Sequence, residues 1–448
     1  MGVKLLSKFR FIIAVLLLTC FAVLNPGTGF AGDAESAAIP LQPMIDQARA
    51  GDVIRLAPGT YLGPVTIGKS IAIESGGGAT IINTSPNSAI TIQANGTRLQ
   101  GLNIRHQGKG ETAGIEVHAQ SVQLEQLKIR TQRHGIMLRD ASKSVIRNND
   151  IAFFADQPVR IGKKGNGIDL YNSQDNQILN NRIAFMKDAI YMEKGRNETV
   201  NGNEVSYSRY GIHFMYIDDS RVTHNSGEFN ITGAMVMEVS NLDIADNMFR
   251  KQSGNVNSQG LLLYDVRESR IDRNVIEGNR VGIYMERAEG NRLAENALLQ
   301  NFVGIQMIQA KNNLMRRNTF VSNVIEATER ESDANRLTEN YWDSFQGLDV
   351  TNDGLSDIPY RIQPFFQRVI AGNSAYQLFF QSPSMTFLSD IFAAGGKASA
   401  ADDSPLMKPD LLPSTGRSSN DGGMGVLIIG LILLLTSVFT ISLGGIRK

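Results

Sequence analysis

Asn274-Val-Ile-Glu-Gly-Asn-Arg-Val-Gly282-Ile-Tyr-Met-Glu286 has a counterpart in the next stretch of chain, Asn296-Ala-Leu-Leu-Gln-Asn-Phe-Val-Gly304-Ile305. Two markers run through this pair: Asn-x-apolar, and a small residue before Ile, Leu or Ala. The first recurs at Asn181, Asn203, Asn247, Asn274, Asn296, Asn318 and Asn340, with Asn225 in the same register. The second recurs at Gly167, Ala189, Gly211, Gly233, Gly260, Gly282 and Gly304, and extends upstream to Gly114 and Gly135. Both keep the step that separates Asn274 from Asn296. Both lengthen it by five positions once, between Asn247 and Asn274 and between Gly233 and Gly260. Both also lengthen it by ten, between Asn149 and Asn181 and between Gly135 and Gly167, which places a ten-residue loop around 156–164. Two signals that share a period and its insertions report one repeating structural unit.

The period is too short for helical repeats, and no segment sustains a 3.6-residue pattern. Each unit offers short alternating runs between Asn, Gly and Asp turns, as in Gly282-Ile-Tyr-Met-Glu286. A leucine-rich repeat also carries Asn-x-Leu, but its crowded leucine pattern is missing. The reading is all-β: a right-handed single-stranded parallel β-helix of ~22-residue coils over 39–342. Inward Ile, Leu, Val and Phe stack from coil to coil, and the turn asparagines ladder along the axis. Residues 39–50 read as a capping segment. A segment at 343–395 with an acidic loop follows, and then a Gly, Ser, Ala, Asp and Pro-rich stretch at 396–423 that reads as a disordered linker.

The ends belong to export. Lys4, Lys8 and Arg10 precede an apolar run at 11–24, and Gly29-Phe-Ala31 offers a small-residue cleavage site, so 1–31 reads as a signal peptide. Cys20 is the only cysteine, so cleavage leaves neither disulfides nor thiolate metal sites. Residues 424–443 are apolar and uncharged, long enough to span a bilayer, and Arg447 and Lys448 follow on the expected cytoplasmic side. Leu412-Pro-Ser-Thr-Gly416 before that run resembles a cell-wall sorting signal, so anchoring by the helix has sortase attachment as its alternative. With 44 Lys and Arg against 44 Asp and Glu, the balanced charge argues against nucleic-acid binding.

Counting outward from the second marker, the first and third residues are apolar and face the core. The second and fourth form an outer column: Glu116 and His118, Met137 and Arg139, Asp169 and Tyr171, Tyr191 and Glu193, His213 and Met215, Met235 and Met237, Leu262 and Tyr264, Tyr284 and Glu286. Adjacent coils therefore present His213, Met215, Met235 and Met237 together. Imidazole with thioethers is a soft donor set suited to Cu(I). The competing reading is a contact surface, covered by the C-terminal segment or by a partner. His106, His134 and His224 fall in turns or at strand ends and read as solvated. Asp349-Val-Thr-Asn-Asp353-Gly354-Leu-Ser-Asp357 resembles part of a calcium loop, with a solvated acidic turn as the alternative.

Arg209-Tyr-Gly-Ile-His-Phe-Met-Tyr216 resembles the NosD family of nitrous oxide reductase maturation proteins. Gly165-Asn-Gly-Ile-Asp-Leu-Tyr171, Asp188-Ala-Ile-Tyr191 and Asn340-Tyr-Trp-Asp343 support the resemblance, which covers about 39–392. It implies an extracytoplasmic, non-enzymatic role in supplying copper to nitrous oxide reductase, alongside an ABC transporter and a copper chaperone. The alternative classes are a carbohydrate-active lyase or epimerase, drawing on Asp169, Glu193 and Arg139, and a docking scaffold with no metal.

Overall fold

In the computed structural model, residues 38–362 and 400–410 are described, except 156, 253, 256 and 257. The expected signal peptide, sorting motif and membrane helix, and the stretch 363–399, lie outside these residues. Among the described residues no helix is long and apolar enough to cross a membrane.

The chain winds into a right-handed parallel β-helix of about 14 turns. Three sheets of 14, 12 and 15 strands run along it; each full coil contributes one strand to each by parallel pairing, and the extra strands lie at the ends. Inward side chains form one continuous core in which like residues stack. Ile168, Ile190 and Ile212 are fully buried in successive coils, as are Phe214, Phe249 and Phe320 elsewhere in the stack. The helix of the N-terminal cap is short, Gln42–Gln47, and seals the first coil with Leu41 and Ile45.

The marker residues have distinct physical causes. Asn149, Asn181, Asn203, Asn225, Asn247, Asn274, Asn296, Asn318 and Asn340 form a buried ladder, each Nδ2 donating to the next Oδ1 at 2.9–3.0 Å. Each also satisfies turn backbone, as when Asn203 Nδ2 donates to the Ile178 carbonyl at 2.9 Å. The glycine marker reflects close approach between coils. A Cβ at Gly233 would lie 2.5 Å from the Gly260 carbonyl oxygen, and one at Gly282 would collide with that of Gly304. The ten-residue insertion leaves at a corner and carries a 3-10 turn, Ile161–Lys163, so the sheets on either side keep register.

The stretch expected to begin as a linker is ordered where it is described. Ala401–Asp402 joins the last coil in parallel and pairs antiparallel with Tyr360–Arg361. The cause is Asp402, whose Oδ2 accepts from Asn340 N–H (2.9 Å), Asn340 Nδ2 (2.9 Å) and Trp342 Nε1 (3.2 Å), closing the asparagine ladder. Composition reported the small residues there but not this acceptor.

Candidate functional site

Most strands span three to six residues. On the 12-stranded sheet, Asp188–Arg196, Tyr210–Asp218, Thr232–Ser240 and Gln259–Arg267 each run nine, making one broad face. Register sets Tyr191 beside His213 and His213 beside Met235. It likewise sets Glu193 beside Met215 and Met215 beside Met237. The four candidate donors are therefore neighbours on two adjacent strands, spaced about 4.8 Å apart.

They differ in exposure. His213 is only 5 % exposed, whereas Met215, Met235 and Met237 are half-buried. The imidazole stands between Tyr191 and Tyr210, edge-on to both with ring centroids 5.0 and 4.9 Å away. Its Nδ1 lies 3.0 Å from Asp188 Oδ2. Arg209 grips the same carboxylate with two charge-assisted bonds, Nε to Oδ1 at 2.9 Å and Nη2 to Oδ2 at 2.7 Å. Burial opposes the charge on Asp188, but the hydrogen bonds from His213 and Arg209 outweigh it and hold its pKa below the usual carboxylate range. The other ring nitrogen, His213 Nε2, is buried and has no hydrogen-bond partner. The Tyr191 hydroxyl donates to Glu193 Oε2 at 2.6 Å and lies 3.7 Å from Met215 Sδ. Its pKa is raised, by burial first and then by Glu193.

Two expectations change. His106 and His134 are buried, not solvated. His106 lies near Asn83 Nδ2 and Thr112 Oγ1, and burial pushes its pKa down to about 4. His134 accepts the Asn166 amide at Nδ1, and its Nε2 faces Glu111 at 3.1 Å. Asp169, expected to face solvent, is 4 % exposed and is gripped by Arg139 at 2.7 Å and Asn166 at 2.7 Å. In the trio drafted for sugar chemistry, Asp169 is thus bound by Arg139 and Glu193 by Tyr191. His118 pairs with Glu116, and His224 stays exposed.

The acidic loop turns its carboxylates onto its own backbone. Asp349 accepts from the amides of Asp353 and Gly354, Asp353 from that of Leu355, and Asp357 from that of Val350. The calcium expectation is corrected accordingly: these oxygens cap amides instead of converging. Among the described residues, no three His, Cys, Asp or Glu side chains group to hold a metal ion. A donor set of one imidazole and thioethers lies outside that description.

Sequence reasoning missed Asp188, Arg209 and Tyr210 as neighbours of His213. Asp188 and Tyr210 each directly precede a marker residue, in a column that also holds His134 and Thr232. Only the recurrence of that position could have drawn notice to it.

Residues 152–351 match the family model described as periplasmic copper-binding protein (NosD), and residues 69–227 match that of the right handed beta helix region. Two curated relatives bear the name "Probable ABC transporter binding protein NosD". The one from Stutzerimonas stutzeri is 25% identical over 453 residues, covering 89% of this chain and 94% of the relative. The one from Pseudomonas aeruginosa is 26% identical over 406 residues, covering 79% and 87%. Among solved structures, the DFA-IIIase of Arthrobacter chlorophenolicus, without its lid, matches with a TM-score of 0.50 at 17% identity, over 64% of this chain and 88% of that one. Gene product 12 of bacteriophage phi29 matches with a TM-score of 0.53 at 11% identity, over 64% and 48%. These structural likenesses concern the fold alone.

Proposed function

We propose that this NosD-like β-helix protein is an extracytoplasmic accessory protein that holds Cu(I) at His213, Met215, Met235 and Met237 and passes it on. The observation that carries the reading is the buried, unpartnered Nε2 of His213. An acceptor left without a partner in the interior costs about 1–3 kcal/mol. A metal ion that takes this lone pair removes the cost. Thioethers complete a soft, neutral set, and without thiolate the ion stays exchangeable, as delivery requires.

The names of the relatives support an ABC transporter as partner. The destination we propose is the copper centre of nitrous oxide reductase, with a copper chaperone as donor. The apolar run at 424–443 would tether the protein beside its membrane partners and raise their effective concentration, or sortase would attach it through 412–416.

The test is anaerobic Cu(I) titration of the full chain against a calibrated chelator. His213→Ala, and separately the triple Met215→Leu, Met235→Leu, Met237→Leu, should each weaken binding at least tenfold. Unchanged affinity in both would overturn the reading and leave the patch as a contact surface.

A further inference from the structure

We infer that Asp188, gripped by Arg209, is a positioning residue that fixes the tautomer of His213 and so reserves the Nε2 lone pair for a metal ion. The inference rests on the site proposed above.

An ionised carboxylate accepts and never donates. Asp188 is 1 % exposed, and its Oδ2 already accepts from Arg209 Nη2 at 2.7 Å while lying 3.0 Å from His213 Nδ1. That contact is a hydrogen bond only if Nδ1 carries the hydrogen. In a neutral imidazole the lone pair must then sit on Nε2, the buried atom with no partner. A carboxylate behind a ligating histidine fixes ring orientation and raises ligand basicity in the same way. Arg209 supplies what Asp188 needs to stay charged out of water, and stacks on Tyr210, with its guanidinium carbon 4.4 Å from the ring centroid.

The two other buried histidines serve as internal controls. At His134 the carboxylate is also present, with Asp169 Oδ2 3.3 Å from Nδ1, but Nδ1 takes the Asn166 amide and Nε2 faces Glu111. At His106 both nitrogens also have neighbours. Only at His213 does the arrangement leave one buried nitrogen open.

The first experiment is magic-angle-spinning NMR of the metal-free full chain labelled with 15N-histidine, with His213 assigned by loss of its signals in His213→Ala. The expected result is a protonated Nδ1 and a bare Nε2. The reverse pattern overturns the inference, and this measurement needs no variant at Asp188 to fold. The second is titration with Ag(I), a redox-stable monovalent stand-in for Cu(I). Asp188→Asn offers an amide that either donates or accepts, so the tautomer is no longer imposed. Affinity should fall at least fivefold and the protonated-Nε2 signal should appear. Silver affinity lost in His213→Ala but kept in folded Asp188→Asn overturns this inference alone. Affinity kept in both variants and in the triple methionine variant overturns the underlying site.

Discussion

Asn225→Ala tests whether the asparagine ladder holds the coils together. The Asn225 side chain is 1 % exposed. Its Nδ2 donates to the Val200 carbonyl (2.9 Å), the Thr223 carbonyl (3.0 Å) and Asn247 Oδ1 (3.0 Å). Its Oδ1 accepts from Asn203 N–H and Asn203 Nδ2, both at 2.9 Å. Alanine removes all of these and leaves the Asn203 amide buried without an acceptor. That orphaned donor costs about 1–3 kcal/mol, and the other lost bonds contribute about 0.5–1.5 kcal/mol each. Because neighbouring losses overlap and the turn relaxes, the expected total is about 3–5 kcal/mol. The assay is urea denaturation followed by circular dichroism, with the exposed Arg221→Ala as a control expected within about 0.5 kcal/mol of the parent. A loss below about 1 kcal/mol for Asn225→Ala would refute the argument that the ladder carries inter-coil energy.

Three further outcomes are expected. Burial pushes the Glu198 pKa from its ordinary 4.5 up to about 8, so the folded chain binds a proton that the unfolded chain releases near pH 4.5. Its contribution is complete below that pH and is lost as pH rises through about 8, so Glu198→Gln should gain on the parent by up to a few kcal/mol across that window in urea midpoints. Asp402→Ala should open the last coil, speeding hydrogen exchange of the Asn340 amide well before global unfolding, because it strips the acceptor from Asn340 and Trp342. The triple Met→Leu variant should leave the thermal midpoint within a few degrees of the parent, since the exchanged side chains are similar in volume, while Cu(I) affinity drops at least tenfold.

The fold was legible because stacking forces like residues into like positions, so Asn and Gly recur with the coil. The outer column was legible for the same reason: neighbours across the sheet are neighbours in the period, which set His213 beside Met235. The setting of His213 was not legible. Alternation counted from Gly211 assigns the preceding residue, Tyr210, to the core side, and it does the same for Asp188 before Ala189. The strand breaks alternation at the marker, where Asp188, Ala189 and Ile190 are all buried in succession, and Asp188 meets His213 on the outer face. The same break buries His134. The role of Asp402 was hidden for a different reason: it acts 62 residues from Asn340, outside the repeat.

The two closed ends bear on how this molecule behaves in a crowd. A stack of parallel strands is a template, since its terminal coil offers unpaired amides and carbonyls to any strand of matching pitch. Here Leu41 and Ile45 cover the first coil. At the other end Phe320 and Trp342 stack ring on ring at 4.2 Å, and Trp342 stacks at 4.1 Å on Tyr360, which belongs to the antiparallel pair. Reversed strand direction denies an incoming copy the parallel register on which it would grow. The pair shields the edge of one of the three sheets, and a chain shortened before Ala400 should form filaments more readily than the full chain, as read by light scattering.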